Sequence, residues 1–181
     1  MKKVTIFILI LAFVVSFSGC GQETDIKVEI TEMNDYAKLE ELSDKFKITS
    51  DWSISVLGED VSDEIPVILV EEYGEEWECV PLLKTLQIMG ATITWKNVNE
   101  AIIKYNKKIL LLNLEENSIK ELFDDIKPEN MITGGRAFYQ FVDGEVIVSG
   151  PYFLAVCQLL DLQFCYRVNK DKTIIIDYLE D

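Results

Sequence analysis

The chain has 181 residues, of which 17 are basic and 32 acidic, so its formal net charge is −15. Such a charge repels nucleic-acid phosphates and anionic lipid headgroups, and we therefore expect no nucleic-acid partner. Histidine is absent, which excludes Ser-His and Cys-His catalysis and removes the most common ligand of transition metals. We predict no metal site, no cofactor and no catalytic residues.

The amino terminus has the layout of a bacterial export signal. Two lysines at positions 2 and 3 precede an apolar run over residues 4–15, and residues 16–20 read Ser-Phe-Ser-Gly-Cys. This segment resembles the lipobox of bacterial lipoproteins, although Phe17 stands where leucine is more common. The resemblance implies cleavage before Cys20 and a diacylglyceryl group on its thiol. Two acyl chains hold a protein firmly, because each buried methylene contributes about 0.8 kcal/mol.

We therefore predict a signal peptide over residues 1–19, a polar lipidated tether over 20–34 and a folded domain over 35–181. Without the two leader lysines the charge balance becomes 15 − 32 = −17. The expected location is outside the cytosol, anchored to the cell membrane through Cys20. An ordinary secretory signal or an uncleaved membrane helix stays open, although a spanning helix needs about 20 apolar residues.

The first half of the folded domain alternates between helix and strand patterns. Residues 35–47 predict an amphipathic helix whose apolar face carries Tyr36, Leu39, Leu42 and Phe46. Strands are predicted near 52–56 and 66–70. Residues 71–79 contain five glutamates and predict a charged hairpin tip. A calcium site there is the alternative, but the ordered spacing of an EF-hand loop is missing.

A short helix is predicted between Pro81 and Gly90, because proline suits the first helical position and glycine the left-handed end. Leu82, Leu86 and Met89 fall on one of its faces. Strands follow over 91–95, 102–105 and 109–114, with a turn at 106–107. We next predict a helix over 118–126 and a loop over 127–135.

A fainter copy of the same pattern follows. Strands at 138–142 and 145–149 flank Asp143-Gly144, which is a strong hairpin signal, and Pro151 begins a helix that runs to residue 160. The two stretches align at an offset of 71, with one inserted residue before the last pair. The aligned pairs are Leu83 with Leu154, Gln87 with Gln158, Gly90 with Asp161, Ile93 with Phe164, Trp95 with Tyr166 and Ile102 with Ile174. This repetition predicts two related hairpin-helix-hairpin units that share one core.

The residues Val80-Pro81-Leu82, Gly90-Ala91 and Trp95 stand at the spacing of a known family. The chain resembles the copper amine oxidase N-terminal-like, or stalk, domain of secreted proteins from Gram-positive bacteria, well over 54–114 and weakly over 137–178. Leu83 and Gln87 replace a family arginine and glutamate. The resemblance implies an α+β domain in which a twisted antiparallel sheet wraps around short helices, with units at about 50–114 and 137–178. It implies no oxidase activity, because copper and quinone belong to another domain of those enzymes.

Other candidate residues are weaker. The carboxylates of Asp60, Asp63-Glu64 and Asp124-Asp125 could serve a hydrolase, but such pairs arise by chance in so acidic a chain. Gly134-Gly135-Arg136 predicts a turn rather than an anion site. The three tryptophans are expected in the core, with a carbohydrate-stacking face as the alternative.

Cysteine usage leaves two alternatives open. Cys79, Cys157 and Cys165 lack the close spacing of zinc or redox sites, and we expect buried, reduced thiols. One disulfide with one free thiol stays open.

The sequence thus favours a membrane-anchored, non-catalytic binding or scaffolding module of the cell envelope. Its expected partners are the membrane, through the lipid on Cys20, and envelope proteins or cell-wall components. The alternatives are an acidic receptor for a cationic ligand or peptide, and a cell-envelope hydrolase that uses paired carboxylates.

Overall fold

The computed structural model describes residues 45–122, 131–133, 138–140 and 145–179. Over these ranges the chain is mostly antiparallel sheet with two short helices, which confirms the predicted α+β class. The predicted signal peptide, the tether, Cys20 and most of the predicted helix over 35–47 lie outside the described residues.

The structure describes two helices and fourteen strands, numbered here in chain order. The helices are α1 (Leu82–Ile88) and α2 (Gly150–Leu159). The strands are β1 (Phe46–Thr49), β2 (Ser53–Val56), β3 (Glu59–Asp60), β4 (Val67–Glu72), β5 (Glu75–Pro81), β6 (Thr92–Asn97), β7 (Glu100–Tyr105), β8 (Lys108–Asn113), β9 (Ser118–Glu121), β10 (Met131–Thr133), β11 (Phe138–Gln140), β12 (Val146–Ser149), β13 (Phe164–Val168) and β14 (Thr173–Tyr178).

These strands form three sheets. The central sheet has the order β1-β4-β5-β12-β11, the second β10-β9-β8-β7-β6 and the third β13-β14-β2-β3. All the pairings are antiparallel except that of β14 with β2, where Ile174 faces Ile54. The antiparallel contact of β12 with β5, which places Val148 opposite Val80, joins the later hairpin to the earlier one.

The main core lies where the two helices meet the three sheets. Strand residues from all three sheets alternate inward in the manner expected of half-buried strands. Phe153 on α2 and Leu86 on α1 are fully buried in it. Burial of large apolar side chains such as these contributes about 1.5–3 kcal/mol each.

Both helix positions were correctly predicted. Pro81 precedes α1 rather than occupying its first turn, and its φ of −65° leads the chain from β5 into the helix. Gly90 has a φ of +96°, the left-handed conformation that ends a helix and favours glycine. Pro151 lies in the first turn of α2, as expected.

Three predictions of secondary structure were wrong. Ser118 to Glu121 form strand β9 instead of a helix, because pairing with β8 places Ile119 opposite Leu112 in the core. Within the predicted loop over 127–135, residues 131–133 form β10, which pairs with β9. The end of the predicted helix over 35–47 is also strand, since β1 pairs with β4 from Phe46 onward. In each case pairing with a neighbouring strand overrides the local pattern.

Candidate functional site

The lipid-attachment residue predicted from the sequence, Cys20, lies outside the described residues. The same is true of Asp124-Asp125 and of Gly134-Gly135-Arg136. Among the helices of the described ranges, none is long and apolar enough to cross a membrane.

The most unusual ionisable group of the described chain is Glu145, which directly precedes β12 and is only 2% exposed. One carboxylate oxygen accepts the backbone N–H groups of Leu83 and Val146, each at 2.8 Å. The other accepts the N–H of Lys84 at 3.0 Å. Two of these donors belong to the first turn of α1, where helical N–H groups have no partner within the helix. Glu145 therefore fastens the start of α1 to a strand more than 60 residues away.

Burial raises the pKa of Glu145 from 4.5 to about 7, because the ionised carboxylate loses its hydration. The three backbone N–H donors and the positive charge of Lys84 oppose this change, since both favour the ionised form. The net result is a carboxyl group that titrates near neutral pH. The hydrogen bonds that its carboxylate accepts in the described chain all come from backbone N–H groups.

A second buried carboxylate, Glu121, is 4% exposed and belongs to an ion-pair cluster. The Nζ of Lys108 lies 2.7 Å from Glu121 Oε1 and 3.0 Å from Asp161 Oδ2. Both carboxylates raise the pKa of Lys108, chiefly through hydrogen bonds. The cluster ties β8 and β9 to the turn that follows α2.

The carboxylates proposed from sequence for a hydrolase show a local structural role. Asp60 is exposed, and its Oδ1 accepts bonds from the backbone N–H and the hydroxyl of Ser62 at 3.0 and 2.6 Å. These bonds lower the pKa of Asp60. In turn, Ser62 Oγ accepts the N–H of Ile54 at 3.0 Å, so the group stabilises the turn after β3.

The acidic hairpin tip between β4 and β5 is present as predicted. Glu71 faces Glu76 and Glu72 faces Glu75 across the two strands. Like charges directly opposite each other destabilise a hairpin. Among the described residues, no group of three or more His, Cys, Asp or Glu side chains is arranged to hold a metal ion.

The tryptophans divide between core and surface. Trp95 is 6% exposed in the main core, and Trp52 packs against that core, as predicted. Trp77 is 40% exposed and Tyr73 is 77% exposed, so the expectation of a core position was wrong for Trp77. Trp77 faces Val70 three positions after Gly74, near the turn of the hairpin. The hairpin tip therefore presents two aromatic rings among glutamates.

The three cysteines of the described chain are free thiols. Cys79 and Cys157 are buried as expected, and burial raises the pKa of each to about 12. Cys165 is only half-buried, which differs from the prediction, because it lies on the edge strand β13.

Sequence reasoning missed the roles of Glu145 and Lys108. The one available signal for Glu145 was its position directly before β12. This strand begins with three apolar residues, a pattern that indicates an enclosed strand. Nothing near Lys108 in the chain indicated its partners, since Glu121 and Asp161 are 13 and 53 positions away.

Comparison with known proteins gives no family assignment. No family model, no curated protein and no solved structure matches this chain.

Proposed function

We propose that the chain is a membrane-anchored extracytoplasmic lipoprotein whose folded part is a non-catalytic binding or scaffolding module of the cell envelope. The lipobox-like segment ending at Cys20 supports the anchor. The observation that supports a structural module is the use of the two buried carboxylates. Glu145 holds three backbone N–H groups and Glu121 is paired with Lys108. Each thus stabilises the fold.

We also propose that the folded part consists of two related hairpin-helix-hairpin units, as in the stalk-like domain that the sequence resembles. Their helix ends support this relationship. The N–H of Gly90 donates to Gln87 at 2.8 Å, and that of Asp161 donates to Gln158 at 3.0 Å. A second pair of bonds, Ala91 to Leu86 and Leu162 to Cys157, are both 2.9 Å long. Each of these donors and acceptors at the end of α1 has its counterpart at the end of α2, 71 positions later.

The order of strands supports the same proposal. In the central sheet β4-β5 and β12-β11 are hairpins that meet through β5 and β12. Each hairpin is followed by a helix and then by a second hairpin, β6-β7 or β13-β14, in a separate sheet. A common ancestry of the units accounts for both features.

The anchor is tested by metabolic labelling with a fatty-acid analogue in a Gram-positive host that expresses the full chain. We expect label on the wild type and on Ser18→Ala, a control that keeps a small residue beside the cleavage site. Cys20→Ala should carry no label and should appear in the medium or remain as precursor. Label on Cys20→Ala would disprove lipidation at this residue.

The binding role is tested with the purified mature protein, captured on a membrane-mimetic surface through its lipid. Cell-wall fragments and separated envelope proteins are then passed over it, with a lipidated protein of similar charge as the control. Saturable binding that the control lacks is expected. Turnover of a cell-wall sugar or peptide without such binding would favour the hydrolase instead.

A second candidate function, a receptor for a cationic peptide, is favoured by the tip of the β4-β5 hairpin. Tyr73 and Trp77 are exposed there among glutamates, and aromatic faces and carboxylates both attract cations. Glu71→Gln with Glu76→Gln should weaken binding of an oligolysine peptide and reduce its dependence on salt. A control pair away from the hairpin, Glu115→Gln with Asp171→Gln, removes the same charge. Equal loss in both pairs would show attraction to the overall charge alone.

A further inference from the structure

Strands β2 and β14 form the one parallel pair among the described strands. β2 lies near the beginning of the described chain and β14 near its end. Thr173 faces Ser53 and Ile176 faces Val56, so the contact runs along the full length of β2. This pair therefore joins the first part of the described chain directly to the last.

Polar bonds fix β2 against β14 at both ends of the contact. The N–H of Ser53 donates to the carbonyl of Lys172 at 3.1 Å, and the N–H of Leu57 donates to a carbonyl of β14 at 2.8 Å. The hydroxyl groups of Ser53 and Thr173 form a hydrogen bond of 2.9 Å. Lys172 also forms an ion pair with Asp51, just before β2. The bonds thus extend beyond the four residues of β2 on both sides.

Apolar contacts add to these polar bonds. Ile54 and Val56 on β2 are each 1% exposed, and Ile174 and Ile176 on β14 are each 0% exposed. All four side chains belong to the main core, and the register places each residue of β2 beside one of β14. Sliding one strand along the other would therefore expose apolar surface as well as break hydrogen bonds.

The parallel orientation decides how the pair responds to a pulling force. In a parallel pair, the beginning of β2 and the end of β14 lie at opposite ends of the contact. Tension that enters at the beginning of β2 and leaves at the end of β14 pulls the strands past each other, and it loads all the bonds of the pair together. In an antiparallel pair the same two points would lie at one end, so the bonds would break one after another.

We propose that β2 and β14 form a mechanical clamp, which keeps the domain folded when tension acts between the segment before β2 and the segment after β14. Strand β1 precedes the clamp, but it lies at the edge of its sheet, and its release would extend the chain over residues 45–52 alone. Strand β3 adds two residue pairs on the other side of β2. The β2–β14 pair is thus the main contact that such tension must break.

The mechanical property goes beyond the proposed function and does not depend on lipidation. Its biological use rests on the proposed function, because a scaffold tethered through the segment before β2 bears tension when its partner moves relative to the membrane. The tension that enters at β2 then passes to the rest of the domain through β14. A clamp at this position lowers the rate of forced unfolding, which is the quantity that decides whether a loaded domain stays folded.

The first test compares two pulling directions in the same protein. Azidophenylalanine replaces Ser50 together with either Leu179 or Asp171 in the full chain, and DNA handles on these exposed positions are drawn apart in optical tweezers. Pulling between positions 50 and 179 slides β2 along β14, whereas pulling between 50 and 171 separates the two strands from their beginnings. We expect the first direction to need roughly twofold or more force at the same loading rate, because it loads the bonds together.

The control for this test is the stability of the two attachment variants without load. Both should keep the urea midpoint of the wild type, because all three replaced residues are exposed. Equal rupture forces in the two directions would overturn the proposal, and so would a lower force between positions 50 and 179. Neither force depends on the fatty-acid label at Cys20, so failure of the clamp and failure of the anchor are distinguished.

The second test compares matched substitutions under load between positions 50 and 179. Ile174→Val removes one carbon beside Ile54, and Ile119→Val removes the same carbon from β9; both isoleucines are 0% exposed in the main core. Their urea midpoints should fall by similar amounts. At a fixed force, Ile174→Val should unfold roughly three- to tenfold faster, whereas Ile119→Val should unfold at the wild-type rate.

This difference is expected because sliding breaks the contacts of Ile174 before the unfolding barrier is crossed and leaves those of Ile119 intact. A contact that is still present at the barrier does not change the unfolding rate when it is weakened. Equal acceleration in both variants would overturn the proposal, because the whole core would then break at once. An unchanged rate for Ile174→Val would also overturn it, because the barrier would then lie away from the β2–β14 pair.

Discussion

Helices α1 and α2 follow a strand of the same central sheet and end with the same pair of hydrogen bonds, yet they begin in different ways. The first turn of α1 is held by the Glu145 carboxylate, which comes from a distant strand. At the start of α2, the side chain of Ser149 makes no such bond. Instead Gly150 lies against the ring of Tyr166. One helix start depends on a buried charge, and the other on close packing.

The two starts show that one backbone plan can be stabilised by unrelated means. The end of each helix depends on one residue in the left-handed conformation and on hydrogen bonds between backbone groups. Many different sequences can meet these two requirements. Helix starts leave N–H groups that some partner must accept, and the partner differs with the surroundings. Substitutions at the starts should therefore affect stability more than substitutions at the ends.

The largest effect is expected from Glu145→Ala. The change leaves the N–H groups of Leu83, Lys84 and Val146 without their buried acceptor, and the free energy of unfolding should fall by about 3–4 kcal/mol. Urea unfolding measures this. As the control, Glu115→Ala at an exposed turn should change stability by less than about 0.5 kcal/mol. A loss below 1 kcal/mol at position 145 would show that water replaces the carboxylate.

The charge of Glu145 should make stability depend on pH. Its pKa is raised from 4.5 to about 7 in the folded protein, so the folded state holds more protons between these values. This contribution is fully present below pH 4.5 and is lost as the pH rises through 7, by up to about 3 kcal/mol. It is measured as the difference in urea stability between the wild type and Glu145→Gln from pH 4 to 8.

That difference isolates residue 145, because the contributions of the other titrating groups are common to both proteins and cancel. Asp51 and Asp60 have lowered pKa values, so what they contribute is lost as the pH falls. Parallel stability curves for wild type and Glu145→Gln would contradict the assignment.

The start of α2 should respond to size. A Cβ at Gly150 would lie 2.5 Å from Cδ1 and Cε1 of the Tyr166 ring, closer than atoms can approach. Gly150→Ala should therefore cost about 2–3 kcal/mol. In a Tyr166→Ala background the same change should be neutral or stabilising, because alanine favours helix by about 1 kcal/mol. Equal cost in both backgrounds would remove the ring as the cause.

The turn after α2 carries an ion pair that the turn after α1 lacks at the equivalent residue, Gly90. Lys108→Met should destabilise the protein several times more than Asp161→Asn. Lys108 neutralises the buried Glu121, whereas the Asp161 side chain is 73% exposed. Thermal unfolding of both variants measures the ratio, and high salt should leave the Lys108→Met effect mostly unchanged. Equal losses of stability in the two variants would show that the exposed Lys108–Asp161 pair, and not the buried Lys108–Glu121 pair, contributes the stabilisation.

The smallest effects are expected at the helix ends. Gly90 has a φ of +96° and Asp161 a φ of +56°. Gly90→Ala should cost about 1 kcal/mol, because alanine is strained in this conformation. Asp161→Gly should be close to neutral, since relief at the backbone offsets the loss of an exposed ion pair. Urea unfolding checks both, and a large cost for Asp161→Gly would break the parallel between the two ends.

The sequence predicted those parts of the fold that depend on local chemistry. Pro81 and Gly90 set the bounds of α1, and the charged tip around Gly74 separates β4 from β5. Strand β9 escaped prediction because four residues with one buried isoleucine fit a helix or a strand, and only pairing with β8 selects the strand. The acceptor for the first turn of α1 escaped for a similar reason, since Glu145 is 62 positions from Leu83.

By itself, then, the sequence determined the α+β class, both helix positions, the acidic surface and the freedom from histidine chemistry, because propensity and composition act within a few residues. The tertiary structure alone decided which carboxylates are buried, which strand caps α1 and why position 150 is glycine. These features depend on groups that meet only after the sheets assemble, and no spacing along the chain encodes such meetings.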